Sequence, residues 1–181
     1  MINLKTNNLK IRQAIFSDLK AIHQLLILPE TDRFNTLGLP ENIEVTKSFV
    51  DDWVKAMQKE KITNYTFTLL DRQGGKFIGL FGLNLGREIY KSGEVWYKLS
   101  PNFWSKGFAT ESLNSILDFC FKDLNLHRIE AGCAVENTAS YKVMEKVGMI
   151  REGRCRKVLP LENGWSDTFE YAILDTDKRL K

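Results

Sequence analysis

Residues 93–121, GEVWYKLSPNFWSKGFATESLNSILDFCF, decide the fold of this chain. Residues 94–100 read as an extended strand, and Pro101 ends it because proline has no main-chain N–H to donate. A short polar loop then enters a helix through residues 104–110, which include Gly107. The first turn of a helix has N–H groups without partners and partial positive charge, and a glycine lets a ligand approach the backbone closely. This stretch therefore predicts an anion site at the helix entry, and the strand end beside it is placed to hold a second part of the same ligand.

Composition and charge indicate one domain without a nucleic-acid surface. The chain has 181 residues, of which 43% are hydrophobic, and this is enough to bury a core of its own. The formal net charge is only +3, so no direct nucleic-acid binding is expected. A local basic run has two readings, a basic patch or the solvated face of one strand: Arg151, Arg154, Arg156 and Lys157.

The cysteines and the lengths of the apolar runs indicate the cellular compartment of the protein. Cys120, Cys133 and Cys155 lie in apolar stretches without CxxC spacing, which argues against a disulfide framework or a zinc site and favours buried free thiols. No apolar run approaches the roughly 18 residues of a membrane span, and residues 1–5 do not begin a signal-peptide core. We therefore expect a cytoplasmic protein with no metal and no membrane partner.

The rest of the chain predicts the element order β-α-α-β-β-β-α-β-α-β-β. Helices are predicted after the caps Ser17-Asp18 and Asn137, over residues 44–59, and from the helix entry onward. Strands are predicted at residues 9–14, 65–70, 76–85, 94–100, 127–135, 149–159 and 165–174, the last two forming a closing hairpin. Residues 30–42 have no sustained period and are predicted to form a loop that touches the substrate.

The single glycine of the helix entry excludes two common phosphate sites. A P-loop requires GxxxxGK followed by Ser or Thr, whereas Lys106 precedes the glycine here. A dinucleotide fold requires GxGxxG after its first strand, and the entry offers only Gly107. Neither nucleotide site fits this sequence.

Together with a second helix start downstream, the helix entry resembles the GCN5-related N-acetyltransferase (GNAT) superfamily. The family's Gln/Arg-x-x-Gly-x-Gly/Ala motif corresponds to residues 104–109. Its second motif, Asn-x-x-Ala/Ser followed by Gly-Phe/Met, corresponds to Asn137, Ser140, Gly148 and Met149. Four segments are also similar to the RimJ/RimL branch, which acetylates the N-termini of ribosomal proteins: LKIRQA, GEVWYKLSP, NTASYKVMEKVGMIREG and NGWSDTFEYAIL.

The sequence departs from the family pattern at two positions. Trp104 occupies the usual Gln/Arg position, which serves mainly through its main-chain N–H, so the pyrophosphate contact is expected to survive. Met144 stands where many relatives carry a tyrosine that protonates the departing thiolate, and a thioether cannot donate a proton. In the RimL-like branch the resemblance points instead to the serine of the second motif, here Ser140.

The resemblance implies direct transfer of an acetyl group from acetyl-CoA to a primary amine. An N-terminal amine has a pKa of about 7.7–8.0 and a lysine about 10.4, so an α-amine loses its proton more readily at neutral pH. Glu94 is the candidate base, with an ordinary solvated charge as the alternative, and N–H groups near Leu99 would polarise the thioester oxygen. The implied acetyl-CoA contacts are Tyr97, Leu99, Trp104, Ser105, Lys106, Gly107, Phe108, Ala109, Thr110 and Asn137.

Two residues given a role by the resemblance also have purely structural readings. Asn137 is a good helix N-cap in its own right, and Ser140 is equally an ordinary small polar residue of a first helical turn. We therefore predict one α/β (α+β) GNAT-like domain over residues 1–181, with helices flanking a mixed, mostly antiparallel sheet that is splayed between its fourth and fifth predicted strands.

The predicted reaction is a ternary-complex transfer, because no cysteine is placed to act as a nucleophile. The first hypothesis for the acceptor is a protein N-terminus of the ribosomal-protein type. The alternatives are a small amine, such as a polyamine or an aminoglycoside, and an acyl-CoA-binding module without turnover, which Met144 suggests. An exposed apolar edge on the closing hairpin would allow a homodimer.

Overall fold

Eight strands form one mixed sheet in the computed structural model, which describes residues 2–179. In spatial order the sheet is β1-β2-β3-β4-β5-β6-β8-β7, and every neighbouring pair is antiparallel except β5 and β6. The mixed, mostly antiparallel sheet is therefore confirmed. The strands are β1 (Asn3–Lys5), β2 (Leu9–Gln13), β3 (Asn64–Asp71), β4 (Phe77–Leu85), β5 (Ser92–Leu99), β6 (Arg128–Ala134), β7 (Ile150–Leu161) and β8 (Gly164–Leu174).

Helices cover both faces of this sheet. They are α1 (Leu19–Leu26), α2 (Pro29–Asp32), α3 (Ile43–Ala56), α4 (Phe108–Asp118) and α5 (Thr138–Lys146), and α4 continues into a π-helical turn at Phe119–Asp123. One core lies between the sheet and α1 and α3, and includes Leu80 of β4. A larger core lies between the sheet and α4 and α5, and includes Met144. We refer to these as the α1/α3 face and the α4/α5 face.

The parallel pair of strands is short and opens along its length. Ser92, Gly93 and Glu94 of β5 pair with Arg128, Ile129 and Glu130 of β6. Beyond these positions β5 continues beside β4, and β6 continues beside β8. The two strands are the fourth and fifth of the predicted order, so the predicted splay is confirmed. We call the opening between residues 95–99 and β6 the gap.

Four local predictions were wrong. Residues 30–42 were predicted to form a loop, but the helix α2 (Pro29–Asp32) extends into this segment. The strand β1 was not predicted, because three residues are too short to show a period. Asp18 does not cap α1 with its side chain, since both of its oxygens accept from Arg12 at 2.7 Å. Cys155 was expected to be buried and is exposed, whereas Cys120 and Cys133 are buried as expected.

The closing hairpin of β7 and β8 has an exposed outer strand. The basic side chains of β7 are exposed, and Arg154 pairs with Asp167 of β8 at 2.7 Å, as expected of a solvated strand face. Val158 and Trp165 are also exposed, and pairing of two subunits through this edge stays a prediction. Within residues 2–179, no helix is both long enough and apolar enough to cross a membrane.

Candidate active site

The helix entry has the geometry of an anion site. Gly107 is the N-cap of α4 with φ 83°, a left-handed conformation that costs a glycine little. The first bond into the helix runs from the N–H of Glu111 to the carbonyl oxygen of Gly107, at 2.9 Å. The N–H groups of Phe108, Ala109 and Thr110 precede that bond and have no partner within the helix. A Cβ built on Gly107 meets no atom within 4 Å beyond its chain neighbours, so the space beside this N-cap is open, as a phosphate site at a helix start requires.

Trp104 connects the helix entry to the end of β5. Its indole Nε1–H donates to the carbonyl oxygen of Leu99 at 2.8 Å. Its main-chain N–H, expected to face the pyrophosphate, donates instead to the carbonyl oxygen of Pro101 at 3.1 Å. Both donors of Trp104 are thus engaged inside the protein. The residue holds the loop against the strand, and the phosphate contact is left to the donors that follow it in the chain.

The main chain of β5 offers hydrogen-bonding groups to the gap. Ser100 N–H donates to Ile78 O at 2.9 Å, and this makes the opposed residues Leu99 and Gly79 a non-hydrogen-bonded pair. In an antiparallel ladder such residues turn their N–H and C=O groups away from the partner strand, and every second residue does the same. The N–H and C=O groups of Tyr97 and the N–H of Leu99, whose carbonyl oxygen accepts from Trp104, therefore point away from β4 and towards the gap, where the resemblance places the pantetheine arm and the thioester oxygen.

The side chains of Tyr97 and Ser140 meet on the α4/α5 face. The Tyr97 hydroxyl lies 3.0 Å from Ser140 Oγ and 3.3 Å from the carbonyl oxygen of Ser140. Asn137 fixes this helix start, since its Oδ1 accepts from the N–H of Ser140 at 3.2 Å and caps α5 as predicted. Burial raises the pKa of Tyr97 to about 12, so the phenol keeps its proton at neutral pH. Met144 is buried in the core, and its thioether is packing rather than chemistry.

Glu94 lies on the opposite face, at the last paired position of β5 and β6. It is exposed and stands opposite Glu130 in the register. A third carboxylate, of Glu170 on β8, lies so close over Gly132 that a Cβ there would meet it at 2.9 Å. Partial burial first, and then the charges of Glu170 and Glu130, raise the pKa of Glu94. A carboxylate with a raised pKa at the mouth of the gap is suited to accepting a proton from an amine.

The sequence did not point to a buried ion pair on the same face of β5 as Glu94. Lys98, two pleats further along β5 on the α1/α3 face, is 6% exposed, and its Nζ lies 3.3 Å from Asp32 Oδ1 of α2. Burial lowers the pKa of Lys98, and Asp32 opposes that effect. The contact ties α2, at the start of the segment predicted as a substrate loop (residues 30–42), to the strand that carries Glu94. Its only sequence signal is a charged residue among apolar neighbours of a strand, which does not identify a partner.

A glycine helix entry beside a parted sheet is the arrangement expected of a CoA-dependent acyltransferase. A family model described as an acetyltransferase (GNAT) domain matches residues 8–150, most of the chain. The chain therefore belongs to the GNAT acetyltransferase family, as its two motifs predicted. Its relatives are named N-acetyltransferases, and the chain is accordingly an acetyl-CoA-dependent N-acetyltransferase rather than a module that only binds acyl-CoA.

Three relatives show how far the likeness extends. The uncharacterized N-acetyltransferase YnaD of Bacillus subtilis is 36% identical over 182 residues, which cover 97% of this chain and 99% of YnaD. Spermidine N-acetyltransferase from Vibrio cholerae, solved in complex with CoA and spermine, has a TM-score of 0.84 at 25% identity and covers 94% of this chain and 98% of its own. Ribosomal-protein-S5-alanine acetyltransferase from Vibrio fischeri has a TM-score of 0.87 at 22% identity, covering 98% of each chain, and this shows a shared fold.

Proposed function

We propose that this N-acetyltransferase acetylates the α-amine at a protein N-terminus. The observation that carries the proposal is the position of Glu94, a carboxylate of raised pKa at the mouth of the gap. An α-amine has a pKa of about 7.7–8.0, so one such carboxylate, acting directly or through a water, is enough to deprotonate it. A lysine amine, with a pKa of about 10.4, is a much more demanding substrate for a single base.

In this proposal each face of the sheet has its own task. The first turn of α4 binds the pyrophosphate of acetyl-CoA, and the main chain of Tyr97 holds its pantetheine arm along the gap. The N–H of Leu99 polarises the thioester oxygen. Glu94 takes a proton from the amine, which attacks the thioester carbon directly. Ser140, on the other face, gives a proton to the departing sulfur.

A small polycationic amine is the second candidate acceptor. Three carboxylates, those of Glu94, Glu130 and Glu170, lie on one face of adjacent strands, and only Glu130 has an arginine partner among them, Arg128 at 2.9 Å, within the described residues. Such a surface attracts a second ammonium group. The Vibrio cholerae relative is named for spermidine, which supports this candidate as a close alternative.

A thiol-release assay separates the two candidates. Acetyl-CoA is supplied with peptides that carry a free N-terminus and an internal lysine, and the same peptides with a blocked N-terminus serve as the matched control. We expect release of CoA with the free peptides only. Release with spermidine or an aminoglycoside, and none with any free peptide, would replace the proposal with the second candidate. Release with blocked and free peptides alike would make lysine the acceptor.

A further inference from the structure

The phenol of Tyr97 has one proton and two acceptors on the same residue. Ser140 Oγ lies 3.0 Å and Ser140 O 3.3 Å from the Tyr97 hydroxyl oxygen. If the phenol proton points to the carbonyl oxygen, the Ser140 hydroxyl donates back to Tyr97. If it points to Oγ, the Ser140 hydroxyl must turn its own proton elsewhere. When Tyr97 donates to Oγ, the Ser140 proton is therefore turned away from Tyr97 and is available to another acceptor.

The ring of Tyr97 is fixed in place by the sheet. It stacks on Phe81 of β4 with centroids 5.7 Å apart and 27° between the planes. Across the gap lies the thiol of Cys133 on β6, whose pKa burial raises to about 11 although a hydrogen bond with Ser140 partly opposes that effect, so it too is neutral. At neutral pH the Ser140 hydroxyl therefore has two neutral hydrogen-bonding neighbours, this thiol and the Tyr97 phenol at 3.0 Å.

We infer that Tyr97 is a positioning residue that directs the Ser140 hydroxyl towards the sulfur of CoA. The inference rests on the proposed function, in which Ser140 is the proton donor. As the carbon–sulfur bond breaks, the sulfur takes the proton of Ser140 Oγ while a water passes the second proton of the amine nitrogen to the same oxygen. The serine oxygen therefore carries only partial negative charge during the exchange and never becomes a free alkoxide. The Tyr97 hydroxyl stays protonated and donates to that oxygen, and a hydrogen bond to an oxygen that bears charge is stronger than a neutral one. One proton of the amine ends on Glu94 and the other on Ser140, so the reaction balances.

The Tyr97 phenol comes from the strand β5, and this bears on the methionine that replaces the family's tyrosine at position 144. Met144 supplies no proton, and the phenol that lies beside the donor position comes from β5 instead. The same residue thus has two separate parts in the site. Its main chain faces the gap, and its side chain holds Ser140, so the two parts can be tested independently by a side-chain change.

The test is a double-mutant cycle with Tyr97→Phe and Ser140→Ala, assayed with the best acceptor found. Tyr97→Phe keeps the ring on Phe81 and removes only the hydroxyl. We expect kcat to fall about tenfold, the loss of one hydrogen bond to a charged oxygen, while KM for acetyl-CoA stays within about twofold because the main-chain contacts remain. In the Ser140→Ala background the same change should have no further effect on kcat. Tyr65→Phe makes the same deletion in a buried tyrosine of β3 and should leave kcat unchanged.

Each other outcome has one meaning. If Ser140→Ala lowers kcat and Tyr97→Phe does not, Tyr97 has no positioning role although Ser140 remains the donor. If the two effects multiply in full, Tyr97 acts independently of Ser140 and the inference is overturned. If Ser140→Ala leaves kcat unchanged, the donor assignment fails and the inference fails with it. Failure of the proposed acceptor is a separate result, seen as turnover with an amine other than a free peptide N-terminus. Thermal unfolding of all variants excludes loss of folded protein as the cause.

Discussion

Glu94 and Tyr97 are three residues apart on one strand, and their side chains lie on opposite faces of the sheet. Side chains alternate along a strand, so an even and an odd position cannot share a face. Trp96, on the face of Glu94, packs near Trp53 of α3, and Tyr97 contacts α5. In the proposed mechanism the base Glu94 and the donor Ser140, which Tyr97 contacts, lie on opposite faces, and they can serve one reaction only because β6 departs from β5 and opens the sheet.

Replacing Gly107 by alanine should weaken binding of acetyl-CoA. The new Cβ would occupy open space beside the N-cap of α4, next to the first turn at which the phosphate is expected. We expect KM for acetyl-CoA to rise about tenfold with a small change in kcat. Gly75→Ala is the control, because Gly75 also has a positive φ (66°) and open surroundings but lies in the turn between β3 and β4. Both variants carry the same type of backbone strain, of about 1 kcal/mol. An unaltered KM in Gly107→Ala would remove the phosphate assignment.

The raised pKa of Glu94 predicts an acid limb in kcat. At saturating concentrations of both substrates, kcat should fall below a pH that lies above the usual range of a glutamate, because the base becomes protonated there. Glu94→Gln should abolish this limb and lower the plateau about 100-fold, the small end of the effect of a general base. Glu170→Gln removes a neighbouring negative charge, so it should move the limb to lower pH and keep the plateau. A limb that persists unchanged in Glu94→Gln would assign the titration to another group.

The sequence predicts roles that depend on neighbouring residues, but it does not predict contacts between residues that are far apart in the chain. Asn137 was predicted as a cap because a cap is defined by its immediate neighbours, and the structure shows it so. The contact of Tyr97 with Ser140 joins residues 43 positions apart, and the pair Lys98 and Asp32 spans 66. No period or motif encodes a contact of that kind. It follows from the register of two strands and the angle of a helix, which are set by the whole core.

At the scale of elements, the gap leaves part of β5 unpaired on one side. The main-chain N–H and C=O groups of Trp96 and Lys98 form hydrogen bonds with β4. Those of Tyr97, and the N–H of Leu99, point to the other side of the strand, towards the gap. The strand boundaries and the opening were predictable from the break at Pro101 and from the family resemblance. The extent of the opening was not, because it depends on where pairing with β6 stops, after Glu94.

Amide hydrogen exchange should detect this difference within one strand. In the free protein the amides of Tyr97 and Leu99 should exchange faster than those of Trp96 and Lys98, since an amide without a partner is not protected. Adding CoA should slow exchange of the Tyr97 and Leu99 amides and leave exchange of the Trp96 and Lys98 amides unchanged, because only the first two amides point towards the gap. Equal protection of all four amides in the free protein would mean that the gap is closed in solution.

One buried ion pair joins three elements of the first half of the sheet. Asp18, before α1, accepts two bonds from Arg12 of β2 and one from the hydroxyl of Thr68 of β3 at 2.9 Å. Burial of the Asp18 carboxylate opposes its ionisation, but the hydrogen bonds from Arg12, Ile15 and Thr68 outweigh burial and hold its pKa below the usual value. Arg12 would be left with an unpaired buried charge if this carboxylate were lost.

Asp18→Asn should lower the free energy of unfolding by about 3 kcal/mol at neutral pH, the cost of breaking a buried ion pair. The stabilisation is present above the unfolded carboxylate pKa of about 3.9 and is lost as pH falls through the lower folded value. The difference in the free energy of unfolding between the variant and the wild type, measured by urea unfolding, should therefore become smaller in acid. Lys61→Ala breaks an exposed pair with Glu88 and should change nothing measurable. A pH-independent difference would show that the charge of Asp18 is not what stabilises α1.

At the scale of the whole molecule, the two faces of the sheet carry different groups of the proposed site. The α4/α5 face carries the phosphate donors, Tyr97 and Ser140, and the α1/α3 face carries Glu94 and the loop tied down by Lys98 and Asp32. In the proposed mechanism the first of these faces binds acetyl-CoA and the second meets the acceptor amine. Variants on the second face should therefore change acceptor preference without changing KM for acetyl-CoA.

The three-position pairing of β5 with β6 also has a consequence for how the chain folds. Residues 3–99 and 128–174 each close on themselves through antiparallel neighbours that are mostly close in sequence, whereas the parallel pair must wait for the crossover through α4. The joint between the two halves is therefore expected to form last and to open first. A ligand that spans it adds to the stability of the joint through mass action, by about 2.7 kcal/mol at a hundred times its Kd. Bound acetyl-CoA would then hold the two halves of the sheet together, in addition to being a substrate.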